Sequence, residues 1–281
     1  MIKSILLPLA EEPPGAVARQ YAYWLAGTEG GHIHGLAVID IKTFEIPVLG
    51  TPDGFMPSVV APPIQESQSL LAEMTASTRE RLDQFAAECA GRGISCSTNI
   101  ETGIPGEIIA GEAVAHDIVV MAREGYGRVG EGQKLDPLIS SVIRGSIRPV
   151  LVAGEQFREV RRILVAYDGS VHAARALSVG AELGSRPGVE CALANIGSSV
   201  EAGKEILIRA ESYLYHHGVT PRPQVLVGSN ASEMICELVS SSGSDLLVMG
   251  AYGHSPIREM IFGSTTERVL SHCGSTVVLQ S

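Results

Sequence analysis

The sequence predicts an α/β protein made of two tandem five-stranded parallel sheets, each doubly wound by helices. Three observations carry that prediction. Short apolar runs recur in the same order twice along the 281 residues. The runs are near-continuous in apolar residues rather than alternating, which is the pattern of strands covered on both faces. Helix-patterned segments separate them, and right-handed crossovers turn such an alternation into a parallel sheet.

Taken in order, KSILLPLA (Lys3–Ala10) in the first copy answers RRILVAYD (Arg161–Asp168) in the second. Each leads into a helix-patterned segment, Ala16–Ala26 and Val171–Leu183. HGLAVID (His34–Asp40) answers ECALANI (Glu190–Ile196), and STNIETG (Ser97–Gly103) answers PQVLVGS (Pro223–Ser229). The helices PGEIIAGEAVAH and ASEMICELVSSS follow. HDIVVMA (His116–Ala122) then answers SDLLVMG (Ser244–Gly250), and RPVLVA (Arg148–Ala153) answers STVVLQ (Ser275–Gln280). Each copy runs to about 140 residues. The polar stretch Gly154–Glu159 divides residues 1–154 from residues 159–281.

One segment breaks the repeat. Ile41–Gln65 carries Pro47, Pro52, Pro57, Pro62 and Pro63, a density that excludes a helix interior or a central strand. It reads as a long irregular loop, with Phe55 and Met56 as candidate anchors, before a helix starting near Ser67. Such a loop is functional, surface packing or disordered. The apolar stretch Leu70–Met74 reads as that helix's face against the sheet.

Apolar residues make up 45% of the chain and charged residues 19%, enough for a real core and too little polarity for wholesale disorder. The net charge of −10 disfavours a nucleic-acid partner. The five cysteines are odd in number and lack C-x2-C spacing, which points to free thiols in a reducing compartment. MIKSILLPLAEEPP lacks the pattern of a secretory leader, and no apolar run reaches the length of a membrane span, so a cytoplasmic protein is expected. His32 with His34, and His216 with His217, have no metal-ligand pattern around them and read as solvated.

The stretch GAYGHSPIREMIFGSTTERV (Gly250–Val269) carries the functional expectation. It begins where an apolar strand ends, and ligands of doubly wound sheets bind beyond the carboxyl ends of the strands. Gly250 and Gly253 allow backbone to approach a ligand closely, and successive N–H groups there form an anion nest. Gly263 precedes Ser264, Thr265 and Thr266, which read as a helix start whose free N–H groups and dipole suit a phosphate. The hydroxyls of Ser264 and Thr265 add donors or hold Mg2+. Asp168 closes the first strand of the same copy and is placed to accept from ribose hydroxyls or from the adenine amino group. It is also good turn chemistry, and the two roles coexist. The backbone of Ala166, Asn195 and Ile196 lines a base pocket in this reading. His254 and Arg258 are placed to touch phosphate or to lie in solvent.

VAYDGS, DLLVMG and the spacing G-x2-G-x9-G-[ST] resemble the universal stress protein family. The resemblance covers essentially the whole chain as two such domains in tandem. It implies a Rossmann-like fold of the adenine nucleotide alpha hydrolase-like type in each. It also implies ATP binding without the Walker A lysine pattern, which is absent here. On that resemblance the nucleotide residues are Asp168, Met249, Gly250, Gly253, His254, Gly263, Ser264 and Thr265, with Thr266 completing the hydroxyl run. Ala166, Tyr167 and Ile196 match by position, and Tyr167 departs from the smaller residue common there. The resemblance further implies pairing of the last strands of the two copies, Val150–Val152 and Val277–Leu279, as an intramolecular pseudo-dimer; a further homodimer stays open.

The first copy lacks these features. Ala10 falls at the position of Asp168, Ala122-Arg-Glu-Gly125 at that of Gly250–Gly253, and Asp136-Pro-Leu at that of Gly263-Ser-Thr. An aspartate repels phosphate and a proline removes a donor, so this copy is expected to be a degenerate nucleotide site. The leading expectation is an ATP-binding stress-response regulator whose second copy holds the nucleotide as a conformational or partner switch. The enzyme alternative is slow ATP hydrolysis or self-phosphorylation on Ser264 or Thr265, for which no catalytic constellation is visible. The third alternative is a nucleotide-independent interaction scaffold.

Overall fold

The computed structural model describes residues 1–27, 30–40, 64–124, 126, 136–253 and 264–281. The proline-rich insertion with Phe55 and Met56 lies outside the described residues apart from its last two positions. So do Arg258 and the two site residues His254 and Gly263.

The first half runs β1 (Ser4–Pro8), α1 (Pro14–Gly27), β2 (His32–Asp40), α2 (Ile64–Gly91), β3 (Ser95–Gly103), α3 (Pro105–Glu112), β4 (Ile118–Met121), α4 (Pro137–Gly145) and β5 (Val150–Val152). The second repeats it as β6 (Arg162–Ala166), α5 (Val171–Gly184), β7 (Glu190–Gly197), α6 (Val200–His216), β8 (Arg222–Val227), α7 (Ala231–Ser242), β9 (Leu246–Gly250), α8 (Ser264–His272) and β10 (Thr276–Gln280). The strands join in one ten-stranded sheet of order β3-β2-β1-β4-β5-β10-β9-β6-β7-β8. Within each half every neighbour pair is parallel.

Local signals set the elements. Ser170 Oγ accepts from Ala173 N at 3.1 Å and starts α5, and Ser199 Oγ accepts from Ala202 N at 3.2 Å and starts α6. Gly243, in the left-handed region at φ 63°, ends α7. The central strands β1, β4, β6 and β9 are buried almost throughout, as their unbroken apolar runs require. Helices α1, α2, α5 and α6 bury their apolar residues on one face of the sheet. Helices α3, α4, α7 and α8 bury theirs on the other. The winding is therefore double in each half.

Helix α2 differs from the expectation. Its 28 residues rise about 42 Å, against about 30 Å for the nine-residue strands beneath it. Its first turns therefore overhang the sheet. Thr78, Leu82, Phe85 and Cys89 form the buried face, whereas Ala72 and Glu73 are exposed.

The halves meet along an antiparallel seam between β5 and β10, with Val152 opposite Val277, Leu151 opposite Val278 and Val150 opposite Leu279. Side chains close the seam at both ends. Arg123, after β4, donates to Leu270 O at 2.5 Å and to Ser275 O at 2.8 Å. Gly154 N donates to Thr276 Oγ1 at 2.9 Å. Arg186 donates to the Trp24 and Leu25 carbonyls and lies over the Trp24 ring at 4.8 Å. Tyr21 meets Phe157 edge to face at 4.9 Å. Both core faces run unbroken across the seam.

All five cysteines are free, with Cys89, Cys191 and Cys273 buried. The histidine pairs are not simply solvated. His32 bonds Ser95 Oγ at 2.9 Å and Ser97 Oγ at 2.8 Å, and His34 bonds Ser97 Oγ at 2.8 Å. His34 stacks on His116, which bonds Ser4 Oγ at 2.7 Å. The short polar residues of neighbouring strands supply partners that sequence spacing does not reveal. His217 stacks on Tyr213 and bonds its carbonyl oxygen at 2.8 Å. No helix among the described residues is long and apolar enough to cross a membrane.

Candidate functional site

The carboxyl ends of β6 and β9 are neighbours, and this is where the strand order reverses in the second half. A doubly wound sheet opens its ligand crevice at this place. Ala166 ends β6 and Met249 precedes Gly250 at the end of β9, and both are buried. Tyr167 N donates to Ala194 O at 2.8 Å, so the strand pairing continues one residue past β6. Asn195 is 2% exposed, and its Nδ2 donates to Tyr167 O at 2.8 Å. The Asn195 side chain thus fixes the backbone of the turn, whereas the sequence led to the expectation only that its main chain lines a base pocket. Tyr167 packs against the core face carrying α5, and Ile196 packs against the opposite face.

Asp168 Oδ1 accepts from Ser170 N at 2.9 Å and holds the turn into α5. The turn role expected of it is present. Gly250 brings β9 against the first turn of α5 backbone to backbone. A Cβ there would lie 2.8 Å from Ala173 N and 2.8 Å from the His172 carbonyl carbon. The loop then turns over Asp168, and a Cβ on Gly253 would lie 3.3 Å from Asp168 Oδ2. Asp168, Gly250 and Gly253 therefore share one corner with the amino end of α5.

Helix α8 opens with Ser264, exposed, and Thr265, half-buried. Thr266 is 2% exposed and donates through Oγ1 to Ala251 O at 2.8 Å. Its hydroxyl ties the start of α8 to the loop after β9, which separates it in role from its two neighbours. His172, which the sequence reading did not single out, meets Tyr252 edge to face with centroids 5.2 Å apart. No group of three or more His, Cys, Asp or Glu among the described residues is placed to hold a metal ion.

The corresponding corner of the first half is filled. Tyr126 is wedged between the ends of β1 and β4. Its hydroxyl accepts from Ala122 N at 2.8 Å and donates to Pro8 O at 3.3 Å. Burial raises its pKa well above the ordinary phenol value. Asp136 caps α4, accepting from Leu138 N at 2.9 Å, with Pro137 in the first turn. Burial pushes its carboxyl pKa up, while the Leu138 and Tyr126 N–H groups oppose the shift. At α1, Glu12 Oε2 accepts from Ala16 N at 2.9 Å, and Arg19 bridges Glu12 to Glu88. Both helix N-termini at this corner thus carry carboxylates of their own. In the second half, α5 is capped by a neutral serine with Asp168 in the turn before it, and α8 opens on Ser264 and Thr265 with Glu267 later in its first turn.

Fold and corners together define a tandem, doubly wound α/β protein with its two sheets fused through their last strands. Residues 159–279 match the universal stress protein family. A universal stress protein of Synechocystis is 27% identical over 96% of this chain and 96% of its own length. One from Methanocaldococcus jannaschii is 32% identical over 28% of this chain and 46% of its own length. Among solved structures, a universal stress protein from Archaeoglobus fulgidus shares the fold with a TM-score of 0.77 at 20% identity, covering 99% of this chain and 98% of that one. A functionally unknown protein from Pseudomonas aeruginosa PAO1 does so with a TM-score of 0.63 at 16% identity, covering 99% and 92%. The second half thus matches the universal stress protein family directly, and the whole chain is similar to a relative of the same size that bears that family's name.

Proposed function

We propose that the second half binds an adenine nucleotide, ATP, beyond the carboxyl ends of β6 and β9, and that occupancy acts as a conformational or partner switch in a stress response. The observation that carries this reading is the contrast between the two corners. In the first half Glu12 and Asp136 occupy the helix N-termini, and the Tyr126 hydroxyl fills the crevice. In the second half Ser170 stands at the place of Glu12 and Ser264 opens α8, while Gly250 and Gly253 carry no side chain; the sequence counterparts of Tyr126 and Asp136, His254 and Gly263, lie outside the described residues. Free N–H groups at a helix start suit phosphate, and a carboxylate such as Asp168 suits a ribose diol. Met249, Gly250 and Gly253 form the loop side of this site, with His254 and Gly263 continuing it in sequence. Ala166, Tyr167 and Ile196 form the base side, and Ser264 and Thr265 meet the tail. The hydroxyls of Ser264 and Thr265 would help to hold Mg2+, which would offset the charge of the phosphates. Thr266 acts on the site by holding α8 to the loop. Residues 1–154 serve as the degenerate domain and residues 159–281 as the binding domain.

Calorimetric titration of the full chain with ATP tests the proposal. Binding of one ATP per chain is expected, with Gly253→Asp abolishing it by setting a second carboxylate beside Asp168. No heat with the wild type, or equal affinity in the variant, rejects the reading. Phosphoryl transfer to Ser264 or Thr265 is a second reading, favoured by the outward position of Ser264 at the start of α8. Incubation with γ-labelled ATP followed by peptide mapping tests it, and full recovery of intact nucleotide excludes it.

A further inference from the structure

The seam carries a residue of the first half to the open corner of the second. Ala251 N donates to Gln280 O at 2.8 Å, so the carboxyl end of β10 lies against the residue before Tyr252. Ser281 Oγ donates to Ser146 O at 2.7 Å, and Gln280 Nε2 donates to Ile147 O at 3.3 Å. These bonds bring the carboxyl end of α4 to the same place. Arg144 lies in the last turn of α4, two residues before Ser146, and is exposed. Burial raises the pKa of the Tyr252 phenol, and the Arg144 guanidinium opposes that rise from across the seam. Tyr252 itself immediately precedes Gly253 in the loop over Asp168.

The pseudo-equivalent place in the first half is built the other way round. Arg123 stands at the position of Ala251, and its guanidinium crosses the seam into the Leu270 and Ser275 carbonyls. The flank of the filled corner is closed by that side chain. At the open corner Ala251 has only a methyl group, and the flank is faced by a cation from the opposite half. The neighbouring cation of the second half, Arg175, is held by Ser281 O at 2.8 Å.

We propose that Arg144 is a nucleotide-binding residue that the first half contributes to the site of the second, pairing with a phosphate oxygen of the polyphosphate tail. This rests on the nucleotide reading above. Among the described residues, the donors that the second half offers to the tail are backbone N–H groups and hydroxyls, all neutral, on a chain of net charge −10. A guanidinium offers two parallel charge-assisted bonds to phosphate and adds the positive charge those donors lack. Its contribution therefore grows with the length and charge of the tail, and ATP gains more than AMP.

The test is equilibrium binding of ATP and of AMP to the full chain, for the wild type, Arg144→Gln and Arg144→Lys. Arg144→Gln is expected to weaken ATP about tenfold or more and AMP by less than about twofold. Arg144→Lys is expected to recover part of the loss, since it restores the charge without the planar fork. The exposed position of Arg144 predicts an unchanged thermal midpoint in both variants, which separates lost binding from lost folding. Unchanged ATP affinity in Arg144→Gln, while Gly253→Asp abolishes binding, overturns the role of Arg144 and leaves the nucleotide site standing. Equal weakening of ATP and AMP also overturns it. Absence of ATP binding by the wild type removes both.

Discussion

Replacing Arg123 by Met is expected to destabilise the whole chain by about 2–4 kcal/mol. Methionine keeps much of the apolar stem and removes the guanidinium. Two well-formed bonds are lost, to Ser275 O at 2.8 Å and to Leu270 O, along with a long one to Ala153 O at 3.4 Å. Leu270 lies in the last turn of α8, where carbonyls have no partner within the helix. Hydrogen bonds to a charged group contribute about 1.5–3 kcal/mol each, so two give about 3–6 kcal/mol. Against this stands the cost of taking the cation out of water, which shows as an Arg123 pKa drawn below its usual value by burial. Relief of that cost in the variant offsets roughly 1–2 kcal/mol. Urea unfolding followed by far-ultraviolet circular dichroism measures the difference. One transition is expected in both proteins, because the sheet and both core faces are continuous across the seam. A loss below about 0.5 kcal/mol would refute the idea that these bonds hold the halves together.

Three further outcomes follow from the same structure. Burial lowers the pKa of both His34 and His116. Glu112 opposes the shift for both, Asp117 opposes it for His116, and the neighbouring histidines reinforce it. The unfolded chain therefore takes up protons first, and stability should fall as pH drops below the ordinary histidine value of 6.5. Urea midpoints between pH 8 and pH 5 should show this slope, and His116→Gln should flatten it. Tyr126→Phe leaves the Ala122 N–H without its acceptor in a buried place and should cost about 1–3 kcal/mol, read as a lower urea midpoint; an unchanged midpoint would contradict the plug. Burial pushes the Cys191 and Cys273 thiols up to about 12, so native protein at pH 8 should react with a disulfide reagent chiefly at the half-buried Cys96 and Cys236. Rapid labelling of Cys191 or Cys273 under native conditions, located by mass spectrometry, would count against the buried assignment.

The two repeats and their strands were legible because parallel strands covered on both faces must be apolar along their whole length, as Leu246–Met249 and Ile118–Met121 are. Asp136 was legible as an obstacle to phosphate, and its capping of α4 gives that reading a structural form. Helix α6 was less visible as an individual element. Its signal is the spacing of Gly203, Leu207, Ala210 and Leu214 behind the cap Ser199, diluted by five charged residues on the outer face. Other features depend on which chain ends meet in space. No local pattern announces that Arg123 and Arg144 face opposite halves, that the Tyr126 hydroxyl reaches Pro8, or that the Thr266 hydroxyl is occupied by Ala251. Those contacts follow from the strand order and the seam.

The antiparallel pairing of β5 with β10 sets one limit and removes another. Two identical chains joined at such a strand pair would experience every substitution twice, once at each mouth of the assembly. Here the connection is a peptide linker, so each residue occurs once. A change that plugs one mouth leaves its counterpart untouched, and a side chain donated across the dyad has no twin repeating the gesture. The molecule therefore has two chemically unlike ends, one of them filled by Tyr126.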